Sequence, residues 1–178
     1  TNLFDCLPKK MLHIAPEIEF QRILSKVRGL DYLSADLKSP NAAIKMDITD
    51  IKYAENSFDV IYCCDVLEHI PDDRKAIYEL NRVLKQDGWA VILVPITNEK
   101  TLEDISVTDP TERARLFGWH SHVRKYGHDF KERLEEVGFN VTQFFAIDFM
   151  NKKETTRFGV SQRPIFYCTK KHTCKAFS

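Results

Sequence analysis

Short, nearly unbroken apolar runs alternate along this chain with stretches where apolar residues return every three or four positions. The runs have strand length and the spaced stretches have helical period. Met11-Leu12-His13-Ile14-Ala15 predicts a first strand, and Pro16 suits the opening turn of a helix. Phe20, Ile23, Leu24 and Val27 mark that helix's inward face, and Gly29 stops it. Residues 31–35 and 42–46 predict a second and a third strand. Phe58 to Cys64 predicts a fourth, apolar enough for a parallel strand covered on both faces. Pro71 and Asp72 open a second helix with Ala76, Ile77, Leu80, Val83 and Leu84 inward. Gln86-Asp87-Gly88 then turns the chain into a fifth strand, Trp89 to Val94.

Downstream the pattern loosens. Residues 96–109 read as polar and irregular, and Asp109-Pro110 starts a short helix ending near Gly118. Asp129 is placed to cap another, with Phe130, Leu134 and Val137 inward and Gly138 at its end. Residues 139–147 and 164–170 predict two last strands with a long connection, and 171–178 a frayed tail. Strand–helix alternation without internal repeats argues for one α/β domain over residues 1–170, built on an open, mostly parallel sheet. The stretch 96–127 is too long for a plain connection and predicts an insert that covers a substrate.

Composition narrows the function classes. Lys plus Arg and Asp plus Glu are both 26, so the chain lacks the basic excess of a nucleic-acid binder. No apolar run approaches the length of a membrane span, and no charged segment leads an apolar one as in a signal peptide. Five cysteines without a CxxC spacing argue against a disulfide framework or a zinc knuckle. A reduced, cytoplasmic setting is the simplest expectation. The chain begins at Thr1 rather than Met, which reads as a trimmed piece.

In open α/β sheets, ligands bind beyond the carboxyl ends of the strands. That rule selects Ala15 to Glu17, Asp36, Asp47, and Cys64 to His69. A carboxylate accepts only, and does so with two oxygens, so Asp36 suits the two hydroxyls of a ribose. Asp47 in the same way suits an adenine amine. Both residues read equally well as ordinary turn aspartates.

One long segment is more specific. Phe58-Asp59-Val60-Ile61 leads to Leu67-Glu68-His69-Ile70-Pro71, then Arg82-Val83-Leu84-Lys85, then Gly88 and an apolar strand closed by Pro95. This order and separation closely resemble the class I S-adenosylmethionine-dependent methyltransferases, in their type 11-like branch. Glu135-Glu136-Val137-Gly138-Phe139 resembles the family's segment before its sixth strand, and His122 to Tyr126 a stretch bordering the substrate entrance. The family's first loop is normally rich in glycine. Here it reads Leu12-His13-Ile14-Ala15-Pro16-Glu17 and resembles a small bacterial subgroup, whose longer members carry a Cys-containing segment upstream that this chain lacks.

The resemblance implies a Rossmann-like, doubly wound, mostly parallel seven-stranded sheet with an antiparallel last strand. It implies S-adenosylmethionine as cofactor and S-adenosylhomocysteine as product. The cofactor contacts it assigns are His13, Ala15, Pro16, Glu17, Asp36, Leu37, Asp47, Ile48, Cys64, Asp65 and Val66. Glu17 either meets the cofactor's ammonium or only favours the helix dipole at a helix start. His69 and His122 are the candidates for a general base or for orienting the acceptor, and His69 also reads as structural. Trp119, His120, His122, Arg124 and Tyr126 are the expected substrate contacts, Arg124 suiting an anionic group. His120 and His122 with His128 lack a placed third ligand, so no metal is expected. The acceptor expected is a polar small molecule, with a sugar or glycan-related compound leading. Neither nucleic acid nor membrane is expected as a partner, and the chain is expected as a monomer or homodimer. Two other readings stay open. One is a non-catalytic module that keeps the fold, suggested by the altered first loop. The other is an NAD-type enzyme, against which the missing GxGxxG argues.

Overall fold

The computed structural model describes residues 2–171. Among them the chain forms, in order, β1 (Lys9–Ile14), α1 (Ile18–Leu24), β2 (Leu30–Asp36), β3 (Ile44–Lys45), β4 (Phe58–Cys64), α2 (Asp73–Val83) and β5 (Leu84–Leu93). Next come β6 (Ile96–Asn98), β7 (Leu102–Glu103), α3 (Pro110–Phe117), β8 (Arg124–Gly127), α4 (Phe130–Glu136), β9 (Phe139–Phe144), α5 (Lys152–Phe158) and β10 (Ile165–Lys170). Single 3-10 turns stand at Leu67–His69 and Ala146–Asp148.

Seven strands make the main sheet in the order β3-β2-β1-β4-β5-β10-β9. The first five run parallel, and β10 runs antiparallel to both β5 and β9. This is the Rossmann-like, mostly parallel sheet with an antiparallel last strand that the sequence predicts. Successive side chains on a strand point to opposite faces, and the core divides accordingly. Leu12, Ile61 and Ala90 enter the larger cluster, with Ala76, Ile77, Leu80 and Val83 of α2 and Phe130 and Leu134 of α4. Their neighbours Met11, Val60 and Trp89 enter the smaller cluster, with Leu24 of α1. The helix α2 starts where expected, its first turn held by the Asp72 carboxylate, which accepts from the Lys75 N–H at 3.0 Å. Such caps contribute about 1 kcal/mol.

Several expectations are corrected. Helix α1 is short, and Ile23 is 59% exposed. Phe20, Leu24 and Val27 share one side of its path, and Ile23 points the other way. The third strand shrinks to Ile44–Lys45, since the Asp36 carboxylate and Pro40 hold the preceding residues in a turn. Gln86 to Gly88 do not separate α2 from β5: the strand starts at Leu84, and these residues form an irregularity between the Phe58–Leu84 and Val60–Trp89 pairs. Asp129 does not cap α4 with its side chain, because its carboxylate accepts from the Thr101 backbone N–H and hydroxyl instead. The predicted strand 139–147 ends at Phe144. The tail expected from 171 onward lies, beyond Lys171, outside the described residues.

Residues 96–127 are more ordered than their composition suggests. β6, β8 and β7 form a three-stranded sheet in that order, and α3 follows β7 in the chain. Asp109 caps α3 and Gly118 ends it with φ of 86°, a left-handed conformation that glycine adopts without penalty. β8 docks on the stretch after β4, where the Val123 N–H donates to the Glu68 carbonyl at 3.0 Å.

Candidate functional site

The carboxyl ends of β1 to β4 open on one cavity of about 520 Å³. Its walls include Ile14 and Ala15 after β1, Asp36 and Leu37 after β2, Met46, Asp47 and Ile48 after β3, and Asp65, Val66, His69 and Ile70 after β4. Thus Ala15, Asp36, Leu37, Asp47, Ile48, Asp65 and Val66, expected as cofactor contacts, meet in one place. Two of these residues hold left-handed backbone, Ala15 at φ 50° and Asp65 at φ 53°. Each costs about 1–2 kcal/mol in a residue with a Cβ, and such strain gathers at functional sites. At Ala15 the backbone does what a glycine does elsewhere: it turns sharply out of β1, while the Ala15 N–H still donates to the Ala35 carbonyl at 2.8 Å.

One oxygen of Asp36 accepts from the N–H groups of Lys38 and Ser39, both at 2.6 Å. Asp47 is built alike, accepting from the Thr49 N–H and hydroxyl, both at 2.8 Å. The Thr49 N–H holds the Asp47 carboxyl below its usual range. In both residues a local turn fixes the carboxylate at the mouth of a strand.

His13, Pro16, Glu17 and Cys64 are not among the cavity's lining residues. His13 is fully buried on the other face of the sheet. Its ring packs edge-on against Tyr62, Phe20 and Tyr32, with Nδ1 2.8 Å from the Tyr32 hydroxyl and Nε2 2.9 Å from the Glu17 carboxylate. Burial pushes the Glu17 carboxyl up, but its hydrogen bonds with His13, its own backbone and Cys64, together with the charge interaction with His13, outweigh this and the net shift is downward. Burial drives the Cys64 thiol up to about 12, so it is a protonated, unreactive group.

A second cleft, of about 300 Å³, adjoins the first and shares Asp65 and His69 with it. Glu68, Pro95, Gly118, Trp119, His122 and Arg163 complete its lining. The rings of His69 and His122 meet edge-to-face with centroids 4.7 Å apart. His69 Nδ1 lies 3.0 Å from the Ser121 hydroxyl, and His122 Nδ1 lies 3.2 Å from the Phe117 carbonyl. A carbonyl only accepts, so Nδ1 of His122 carries the hydrogen and Nε2 presents a lone pair. Burial holds both imidazoles below their usual range, which keeps them neutral at pH 7. Glu68 is 2% exposed, and its Oε2 has no hydrogen-bond partner among the described residues. Burial raises the Glu68 carboxyl to about 7.

Two residues expected at the substrate rim stand in the interior instead. Arg124 is 1% exposed and Tyr126 is fully buried. Arg124 donates to the carbonyls of Leu67, Ile70 and Pro71 and pairs with Glu103 at 2.9 Å. The Tyr126 hydroxyl donates to Asp73 at 2.6 Å, and Arg133 bridges Asp73 and Glu103. Hydrogen bonds from Arg133 bring the Glu103 carboxyl down to about 2. The network clamps β7 and β8 to the stretch after β4. Of the other rim candidates, Trp119 lines the second cleft and His120 is exposed beside it.

Ser121 and Arg163 were not legible in the sequence as site residues, and Glu68 was marked only as part of the stretch Cys64 to His69. Glu68 left a signal, an acidic residue inside the apolar stretch from Val66 to Ile70. Arg163, which pairs with Asp65 at 2.6 Å, left none: the two are far apart in the chain and Arg163 sits in an ordinary polar loop.

The strand order, the antiparallel β10 and a cavity at the carboxyl ends define the class I methyltransferase fold. Residues 15–92 match the family described as a methyltransferase domain. No match was found among curated proteins. Solved structures agree on the fold. The Burkholderia thailandensis 1,6-didemethyltoxoflavin-N1-methyltransferase, determined with bound 1,6-didemethyltoxoflavin and S-adenosylhomocysteine, superposes with a TM-score of 0.63 at 12% identity, covering 96% of this chain and 75% of that one. The YcgJ protein of Bacillus subtilis gives 0.62 at 14% identity, covering 96% and 95%. The Haemonchus contortus phosphoethanolamine N-methyltransferase 2, in complex with S-adenosyl-L-methionine, gives 0.59 at 15% identity, covering 93% of this chain and 49% of that one.

Proposed function

We propose that this chain binds S-adenosylmethionine in the larger cavity and methylates a polar small molecule, with a sugar or glycan-related compound as the leading acceptor, held in the adjoining cleft. The observation that carries the reading is the shared wall: Asp65 and His69 line both spaces, so a group in one faces a group in the other.

The larger cavity suits the cofactor by size and by chemistry. Its volume lies in the range of small-molecule sites. Asp36 supplies an acceptor for ribose hydroxyls, and Leu37 and Ile48 supply apolar surface for a base beside the Asp47 carboxylate. Ala15 and Val66 complete the contacts we assign. When bound, the cofactor supplies an electrophilic methyl group for displacement by a nucleophile. The chain's own part is alignment and the exclusion of water. With no ion in the second cleft, neutral His69 and His122 stand there in the form that takes a proton, which an acceptor hydroxyl or amine must lose. Trp119 offers a flat apolar face for a ring.

The test is calorimetry with S-adenosylhomocysteine on the wild-type chain and on Asp36→Asn. The asparagine keeps one acceptor for the turn at Lys38 and Ser39 but removes the charge. A hydrogen bond to a charged acceptor contributes about 1.5–3 kcal/mol, so affinity falls roughly ten- to hundredfold. Unchanged affinity would mean that the ribose assignment is wrong. Binding without release of S-adenosylhomocysteine from S-adenosylmethionine across an acceptor panel would favour the non-catalytic module.

A further inference from the structure

We propose that Glu68, His69 and His122 form a binding site for a divalent first-row transition-metal ion in the second cleft. The three offer one carboxylate oxygen and two imidazole nitrogens, all within 4.8 Å of one another. The centre of such a triangle lies no farther than about 2.8 Å from each atom, roughly 0.7 Å beyond a zinc–nitrogen bond of about 2.1 Å. Small side-chain rotations close that gap.

Three features point to an ion rather than to a chance meeting. Glu68 Oε2 is buried without a hydrogen-bond partner among the described residues, although Glu68 lines the cleft. A buried carboxylate oxygen left unpaired is costly, and a cation satisfies it. Both histidines have Nδ1 engaged, by the Ser121 hydroxyl and the Phe117 carbonyl. This is the outer support that orients metal-binding imidazoles and leaves Nε2 for the ion. The set also contributes only three protein ligands on a cleft wall, which leaves positions open for water or an acceptor oxygen. Arg163 lines the same cleft, but its guanidinium is held at 2.6 Å by the Asp65 carboxylate, so its charge is matched. Two imidazoles and a carboxylate suit zinc, iron(II) or cobalt(II) better than calcium or magnesium, which favour all-oxygen sets. The sequence hides this site because Glu68 and His69 lie 50-odd positions from His122, and the nearby His120 and His128 are not part of the cluster.

The experiment is zinc titration by calorimetry on chelator-treated full chain, with cobalt(II) absorption as a second readout. It reads the ion and not turnover, so its outcome is separate from the methyl-transfer reading. The wild type should bind one equivalent. Glu68→Gln and His122→Asn should each weaken binding at least a hundredfold, and Ser121→Ala about tenfold. His128→Asn should leave it unchanged. Circular dichroism checks folding of Glu68→Gln, and if that variant does not fold, His122→Asn on the half-buried loop decides alone. Absence of saturable zinc binding to the wild type overturns the proposal, as does binding that survives His122→Asn. An intense thiolate-to-cobalt charge-transfer band overturns it too, because the ion would then sit on a cysteine, and none belongs to this cluster.

Discussion

Replacing Arg124 with methionine should unfasten the insert from the core. Methionine fills much of the volume of the arginine stem but donates nothing. Its guanidinium donates to the Leu67 carbonyl at 2.8 Å, to the Pro71 carbonyl at 2.9 Å, and to the Ile70 carbonyl. It also meets Glu103 at 2.9 Å and lies 3.7 Å from Asp73. Removing one partner of a buried ion pair costs about 3–5 kcal/mol. Each buried carbonyl left unpaired adds about 1–3 kcal/mol when taken singly. Two features keep the total near the lower figure. The Leu67 carbonyl retains the Ile70 N–H at 3.2 Å, and Glu103 is 39% exposed, so water replaces part of what it loses. We expect a loss of about 3–5 kcal/mol. At about 2–4 °C per kcal/mol for a chain of this size, Tm falls by roughly 6–20 °C. Urea unfolding followed by tryptophan fluorescence measures the free energy, and scanning calorimetry measures Tm. A loss under about 1 kcal/mol, the range of an exposed pair, would refute the picture of a dry clamp at this point.

Glu103 makes the same clamp sensitive to acid. Its carboxyl titrates at about 2 in the folded chain against 4.5 as the ordinary value, so its contribution is present above pH 4.5 and lost as pH falls through 2. The shift corresponds to about 3 kcal/mol before screening, and 39% exposure reduces this to roughly 1–2 kcal/mol. Stability of Glu103→Gln should therefore fall less steeply than wild type between those pH values; parallel profiles would contradict the assignment. At Ala15, glycine relieves about 1–2 kcal/mol of left-handed strain and gives back about 0.5–1 kcal/mol in chain entropy. Ala15→Gly should be neutral or stabilising by up to about 1.5 kcal/mol in chemical denaturation, whereas branched Ala15→Val should be clearly destabilising. A glycine variant weaker than wild type would show that the methyl group packs and the backbone is unstrained.

The parts of this fold legible in the sequence are those set by local period and burial. The β4 strand from Phe58 to Cys64 and the inward face of α2 carry strong patterns, and both form as read except that Leu84, taken for the helix, is the first residue of β5. The small sheet of β6, β7 and β8 was not legible, because its strands hold two to four residues each and pair across the insert. Asp36 and Asp47 could be singled out because strand ends in a parallel sheet share one edge. Arg124 and Tyr126 misled, since a polar stretch suggests a rim and nothing local reveals that Asp73 and Glu103 will bury them as partners. Glu17 sits four residues after His13, and that spacing became a hydrogen bond away from the cavity. The cluster of Glu68, His69 and His122 depends on β8 docking beside the end of β4, a contact that no local pattern announces.

We propose the cavity over β1 to β4 as an S-adenosylmethionine site. Calorimetric titration of the full chain with S-adenosylhomocysteine, beside NAD as comparator, tests it most directly. We expect saturable binding of one equivalent of S-adenosylhomocysteine and none of NAD. At a hundredfold excess over Kd, stability should rise by about 2.7 kcal/mol, or roughly 5–11 °C in Tm. No heat and no thermal shift with S-adenosylhomocysteine, or tighter binding of NAD, would contradict it.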